Sequence, residues 1–374
     1  MKTKSGEAEF RLSEEILQRY LETLYGAEVA VYGAWKLGEH ETGKYEDLKG
    51  FGYGFPYVLE YAVGSEMKRA VLETMRPEGF GHDHFSDRAQ VLLWQHSAFG
   101  SLPRHVRSLD VGAFVPASKC LMSLGKCGEF FILTEFVDGA LYHLDLDRMK
   151  ETGHINALDE KRCLALSDYL VEIHRVRREA PSLYVRRVRE LVGHGECIMG
   201  LLDSYPLEVD FVNEADLIAI ERHSVVWRWR LKRMAHRLRR VHGDFHPWNV
   251  LFRKGADFTA LDRSRGEWGE PADDVTAMTI NYIFYSLQKY GKLTGIFEHL
   301  FELFWENYLK KTGDAEILEV AQPFYAWRGL VVASPIWYPQ LEREVRVKLL
   351  NFVRNVLTCE KFDLAHVNSY FRDI

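Results

Sequence analysis

His242, Asp244 and Asn249 fall on one short stretch of the chain, and an apolar run then leads to Asp262. A carboxylate, a carboxamide and a second carboxylate in this order could serve phosphoryl transfer. That chemistry needs a hydroxyl held in line with a γ-phosphate and metal ions held against the phosphate oxygens. Asp244 would accept the hydroxyl proton, while Asn249 and Asp262 would offer Mg2+ the hard oxygen ligands it prefers. Pro247 keeps the stretch from forming a helix, so it reads as a loop that turns its polar side chains toward one site. Val250-Leu251-Phe252, a turn at Gly255 and Phe258-Thr259-Ala260-Leu261 then read as a short hairpin that brings Asp262 back beside Asn249. Asp and Asn are also ordinary turn residues. Three matched polar positions followed by a spaced Pro-x-x-Asp argue against coincidence.

From His242 to Asp274 the sequence runs HGDFHPWNVLFRKGADFTALDRSRGEWGEPADD. This stretch resembles the aminoglycoside phosphotransferase family, small-molecule kinases distantly similar to protein kinases. The family's His-Gly-Asp-x-x-x-x-Asn loop is matched at His242, Gly243, Asp244 and Asn249. The resemblance implies that Asp244 is the catalytic base and that Asn249 and Asp262 hold magnesium. Protein kinases would carry Arg where Gly243 stands and Phe-Gly where Arg263-Ser264 follow the metal Asp. Gly269-Glu270-Pro271-Ala272-Asp273-Asp274-Val275 is similar to the family's Gly-Asp-Pro-x-x-Asp-Leu-Ala block. By that match Asp274 would brace the catalytic loop, with His242 as part of the loop's support, rather than touch substrate. Leu170-Val171-Glu172-Ile173-His174 is similar to the Leu-Ala-x-Leu-His that ends an early helix of the larger lobe. The implied architecture is α+β, a protein-kinase-like two-lobe fold. A small antiparallel-sheet N-lobe would span residues 1–136 and a larger, mainly helical C-lobe residues 137–374. The implied cofactors are Mg2+ and ATP, with GTP as the alternative donor, and the implied partner is a hydroxyl-bearing small molecule.

The nucleotide-binding half departs from the pattern. Gly50, Gly52 and Gly54 precede a strand and could form the loop that covers the phosphates, because glycine lets the backbone approach closely; an ordinary hairpin turn explains them equally well. In kinase-like folds a strand supplies a Lys to the phosphates and a helix Glu holds it. Here the strand reads Arg69-Ala70-Val71-Leu72-Glu73 and the following helix Ser86-Asp87-Arg88-Ala89-Gln90. Glu73 stands where the Lys is expected and Arg88 where the Glu is expected, an ion pair of reversed polarity. A carboxylate facing phosphates would repel them. A shifted register would instead offer Lys68 or, on the same strand face as Glu73, Arg69. Arg263 and Arg265, just past Asp262, are candidates to offset phosphate charge or touch substrate. These departures support an alternative function, a kinase-like binding or regulatory protein impaired in catalysis.

The elements that must position these residues are legible in outline. Ser13, with Glu14 and Glu15 behind it, opens a helix bearing Ile16, Leu17, Tyr20, Leu21 and Leu24 on one side, and Gly26 closes it. Strands are expected at Val29–Leu37, Tyr57–Val63 and Arg69–Met75, the last two joined by a Gly64-Ser65 turn. A helix follows over His84–Ala98 and a strand over Phe130–Phe136, leading to a hinge at Val137-Asp138-Gly139. Helical spacing covers Lys161–Arg178, Ala215–Arg240, Val275–Tyr290, Ile296–Lys310 and Leu341–Thr358. The aromatic residues around Asn281–Tyr285, Trp327-Arg328-Gly329 and Trp337-Tyr338 could line an acceptor pocket or simply fill the core.

Three decoys resolve to plainer readings. Gly38 to Tyr45 misses a phosphate loop at its final position, where Tyr replaces Ser or Thr. His82-Asp83-His84 with His96 lacks fixed metal-ligand spacing. The Arg- and Trp-rich run from Trp227 to Arg240 reads as a solvated basic helix face, and the net charge of −6 gives no case for general nucleic-acid binding. Five cysteines without close pairing point to reduced thiols. With no long apolar stretch and no apolar leader at MKTKSGEAEF, the expectation is a cytoplasmic protein without a membrane span.

Overall fold

A computed structural model describes residues 13–36, 54–75, 81–99, 106–130, 132–206 and 209–373. The chain divides into two units, Met1–Thr134 and Glu135–Ile374. The first opens with helix α1 (Glu14–Tyr25), where the Ser13 side chain accepts from the Ile16 amide and Gly26 closes the last turn at φ +63°. Strands β1 (Val29–Lys36), β2 (Gly54–Val63) and β3 (Glu66–Met75) form an antiparallel meander. Leu17 and Leu21 of α1 pack with Val29, Leu59 and Tyr61 into the small core of this unit. Helix α2 (Phe85–Phe99) buries no residue, and β4 (Gly112–Val115) pairs with β5 (Cys120–Ser123). Asp110 joins the hairpin to α1: it accepts from Tyr20 at 2.6 Å and from Ser123 at 3.0 Å.

The expected strand over Phe130–Phe136 does not form among the described residues there. Phe130, Ile132, Leu133 and Phe136 are exposed. Their strand propensity reflects fit to a half-buried pleated surface, and no ladder partner among the described residues supplies one.

The second unit carries most of the helices. After the two-residue strand β6 (Ala140–Leu141) come α3 (Tyr142–Thr152), α4 (Ala157–His174), α5 (Pro181–Gly193), α6 (Ile198–Asp203) and α7 (Glu214–Leu231). A short strand β7 (Arg239–Arg240) precedes the hairpin β8 (Val250–Phe252) and β9 (Phe258–Ala260), which pairs with β6, while β10 (Trp268–Gly269) returns to β7. Helices α8 (Pro271–Tyr290), α9 (Gly295–Thr312), α10 (Gln322–Ala333) and α11 (Arg343–Thr358) complete the unit. Between Pro271 and Leu287, α8 is buried at every position except Asp273, as suits a helix enclosed by others on all sides. No helix among the described residues is long and apolar enough to cross a membrane.

The helix expected over Ala215–Arg240 stops at Leu231. Local sequence offers no Gly or Pro to stop it; the cause is tertiary. Arg237 is only 3% exposed and forks onto Glu270 through Nε and Nη2 at 2.7 to 3.0 Å, while Nη1 reaches Asp314 and Glu316 and Nη2 also meets Asp314. Glu270 caps the start of α8 and also accepts from Tyr184 at 2.8 Å. The basic run is therefore not solvated throughout, because Arg237 is a buried clamp that turns the chain toward β7 and fixes the start of α8. Removing one partner of a buried pair strands the other charge. Arg237→Leu should lower the unfolding free energy by about 3–5 kcal/mol in a urea titration, and adding Glu270→Gln should recover part of that loss.

Candidate active site

β7 delivers the chain into the His242–Asn249 loop, and α8 holds that loop from below. The amides of His242 and Gly243 donate to the Asp274 carboxylate, each at 2.7 Å. Gly243 has φ +88°, and a Cβ there would approach the Cβ of Arg265 to 3.3 Å. A glycine is required by that backbone and that neighbour. Asp274 lies in the first turn of α8, where the helix dipole favours an anion. Its second support is His174, at the end of α4, whose Nε2 lies 3.1 Å from Oδ2 and whose Nδ1 meets the Tyr308 hydroxyl at 2.8 Å. Burial alone would raise the Asp274 carboxyl, but His174 and His242 hold it below the usual carboxylate range. His242 is itself lowered by burial, against the pull of Asp274 and Asp244. Its Nδ1 accepts the Asp244 amide at 3.3 Å, so the ring serves the loop backbone.

The hairpin sets the two candidate metal ligands side by side. Val250 pairs with Ala260 across β8 and β9, and the Leu261 amide donates to the Asn249 carbonyl at 2.8 Å, so Asp262 follows the residue opposite Asn249. The Asn249 amide nitrogen donates to the Asp244 carbonyl at 3.0 Å, which directs its side-chain oxygen elsewhere. Asp262 is exposed and adopts φ +52°, a left-handed conformation that few residues other than glycine, Asn and Asp accept. Among the described residues no cluster of three His, Cys, Asp or Glu side chains could hold a metal. An amide oxygen and one free carboxylate nevertheless suit Mg2+, which commonly completes its shell with water and phosphate.

Asp244 is 9% exposed, and two guanidinium groups converge on its Oδ1: Arg328 Nη1 at 2.6 Å and Arg265 Nη1 at 2.7 Å. Its Oδ2 has His246 Nε2 at 3.7 Å. Burial pushes this carboxyl up, but Arg328, His246 and Arg265 outweigh it and hold the group far below the usual carboxylate range. Arg328 also donates to the Gly243 carbonyl at 3.2 Å and to Asp273 at 2.5 Å. The Trp327 ring carries the Arg328 guanidinium at 3.8 Å and that of Arg265 at 4.9 Å. Asp273 is the weaker partner: burial lifts its carboxyl to about 6, with Arg328 opposing and the adjacent Asp274 adding to the rise. Beyond the loop, Trp248 stacks with His143 at 4.9 Å and meets Tyr338, which contacts Phe284. Tyr282 and Ile283 are core, whereas Trp337 is exposed.

The remaining sequence candidates separate. Arg265 faces Asp244, but Arg263 donates to the backbone carbonyls of Val241 and Glu267 and so supports the loop rather than the site. Gly50 and Gly52 lie outside the described residues, as does the Gly38–Tyr45 stretch; Gly54 opens β2, paired with Met75. Glu73 is exposed on β3 opposite Pro56. Arg88 donates to the carbonyls of His82 and Asp83, and no ion pair joins it to Glu73 among the described residues. The expected reversed pair does not form, because α2 spends this guanidinium on its own leading loop. Arg69, the alternative, is taken by Glu60 across the strand at 2.7 Å. Sequence reasoning passed over Arg328 and Asp273. Arg328 is the only charged residue of α10, QPFYAWRGLVVA, and a lone arginine in an apolar helix signals a buried carboxylate partner.

The sequence model of one family, described as the phosphotransferase enzyme family, matches residues 97–288, just over half of the chain. The chain belongs to the phosphotransferase enzyme family. Solved structures similar to this phosphotransferase include the amicoumacin kinase hAmiN in complex with AMP-PNP, Ca2+ and Ami, at 14% identity and a TM-score of 0.42, covering 95% of this chain and 97% of that one. The choline kinase LicA from Streptococcus pneumoniae is 12% identical with a TM-score of 0.33, covering 92% and 98% of the two chains. The ADP-bound aminoglycoside phosphotransferase APH(2'')-Ib is 15% identical with a TM-score of 0.32, again covering 92% and 98%. No curated protein matches the phosphotransferase in sequence.

Asp273 gives the phosphotransferase a pH signature. Its folded carboxyl holds a proton more tightly than the ordinary group at 3.8, so its contribution to stability is full below that value and is lost as pH rises to about 6. The melting temperature of the wild type relative to Asp273→Asn should therefore fall across that window, as measured by calorimetry at stepped pH.

Proposed function

We propose that the protein is a magnesium- and nucleotide-dependent kinase that phosphorylates a hydroxyl of a small molecule, with Asp244 as the base. The observation that carries this reading is the placement of Asp244, Asn249 and Asp262 by one loop and hairpin, with the Asn249 amide tied to the Asp244 carbonyl at 3.0 Å. Asp244 Oδ1 is occupied by the two arginines, which leaves Oδ2 to accept the hydroxyl proton. The acceptor oxygen would form its bond to the γ-phosphorus of ATP or GTP as the bond to the bridging oxygen breaks. A carboxylate held this far below its usual range is ionised at neutral pH. It would orient the hydroxyl and take its proton late, as suits a loose transition state. Asn249 and Asp262 would hold Mg2+, which supplies charge neutralisation at the phosphate oxygens. Trp248 and Tyr338, both half-buried, would supply apolar ring surface for the acceptor, with Phe284 packed behind Tyr338.

The second reading, a binding protein without transfer, is favoured by Glu73, an exposed carboxylate on β3. Calorimetric titration with ATP and with GTP, with and without Mg2+, separates the two. Magnesium-dependent binding abolished by Asp262→Asn is expected. Transfer of γ-labelled phosphate to a panel of amino alcohols and sugars should then fall by about 10²- to 10⁴-fold in Asp244→Asn. Binding with no transfer by the wild type to any acceptor would favour the second reading, and no binding would remove the donor from the first.

A further inference from the structure

We propose that Arg328 is a positioning residue for phosphoryl transfer, fixing the Asp244 carboxylate so that Oδ2 alone meets the acceptor hydroxyl; this rests on the kinase reading above. A carboxylate's terminal torsion is soft and roughly two-fold, so packing alone does not choose which oxygen faces the substrate. Arg328 supplies that choice. Its guanidinium reaches three acceptors on two separate parts of the chain: Asp244 Oδ1 at 2.6 Å and the Gly243 carbonyl at 3.2 Å in the loop, and Asp273 at 2.5 Å on α8. It thereby registers the catalytic side chain, the catalytic backbone and the helix beneath them against α10.

The identity of the residue matters as well as its charge. Arg328 is 5% exposed, and its guanidinium carbon lies 3.8 Å from the centroid of the Trp327 ring, so the fork cannot swing away without losing that contact. A lysine would keep the charge but could not span side chain, carbonyl and helix from one plane. Arg265 shares Oδ1 but is more exposed and also contacts Glu196 at 3.5 Å. Arg328 is therefore the anchored member of the pair. A buried arginine with two carboxylate partners is costly to maintain unless all three are matched, and here one of the matched groups is the proposed base.

The test compares the wild type with Arg328→Lys, Asp244→Asn, and Arg328→Met made alone and with Asp244→Asn. MgATP is the donor, and transfer is followed to water and to the amino alcohol and sugar panel. MgATP binding stoichiometry corrects each rate for the folded fraction, and Arg328→Met with Asp273→Asn provides a variant without the stranded acid should Arg328→Met alone unfold. Arg328→Lys should lower kcat about 100-fold, the scale expected for a misplaced catalytic group, with the KM for MgATP unchanged. In the Asp244→Asn background, Arg328→Met should slow transfer no further, since the two residues act as a unit. A wild-type kcat in Arg328→Lys, or fully additive losses in the double variant, would overturn the positioning role while leaving the kinase reading intact. Absence of transfer from the wild type to any acceptor would overturn both.

Discussion

The site depends on one buried carboxylate receiving two consecutive amides. Asp274 has no exposure to solvent, and it holds the His242 and Gly243 nitrogens while His174 Nε2 meets its other side at 3.1 Å. An unpaired carboxylate in that position would be prohibitive, and unpaired amides would be nearly as poor. Each side of the contact therefore needs the other, and the geometry admits little variation. From it follow the left-handed turn at Gly243, the direction in which Asp244 leaves the loop, and the start of the hairpin that ends at Asp262. The first turn of α8 acts as the foundation on which the loop is built.

Around this contact the protein distributes charge in alternation. Arg237 and Glu270 lock the entrance to α8, Asp274 and His174 lock its first turn, and Arg328 links Asp273 to Asp244. Buried pairs of this kind contribute little net stability compared with apolar packing, since desolvation offsets attraction. Their effect is to make alternative arrangements costly: a slipped loop or a rotated helix would leave a charge without its partner. The surrounding apolar mass of α8, α9, α10 and α11 supplies the folding energy, and the charges choose the register.

The sequence was most legible where a signal is local. Ser13 and Gly26 mark both ends of α1 because caps act within a turn. The loop and hairpin could be read because Pro247 and Gly255 punctuate them and the polar residues occupy fixed offsets. Legibility failed where partners come from afar. The end of α7 is set by Arg237 and its partners Glu270, Asp314 and Glu316, which no window around Leu231 contains. The strand over Phe130–Phe136 had propensity but no neighbour to pair with among the described residues. Arg88 was assigned by analogy to Glu73 across the sheet, whereas carbonyls of its own leading loop are nearer at hand. Arg328 lay in a stretch noted for its aromatic residues, and its partners stand far upstream in sequence.

That separation would order events during synthesis. The segment matching the family, residues 97–288, includes the His242–Asn249 loop, the hairpin and most of α8, but ends well before α10. A nascent chain that has just left the ribosome through α8 would hold Asp244 and Asp273 close together without Arg328 between them. Two like charges with Arg265 and His246 but without Arg328 form an unfavourable arrangement, so the loop would have reason to stay unsettled until the last quarter of the chain arrives. Completion of the fold and arming of the proposed base would then coincide, and the growing polypeptide would be spared a competent phosphotransferase before the remaining helices could enclose it.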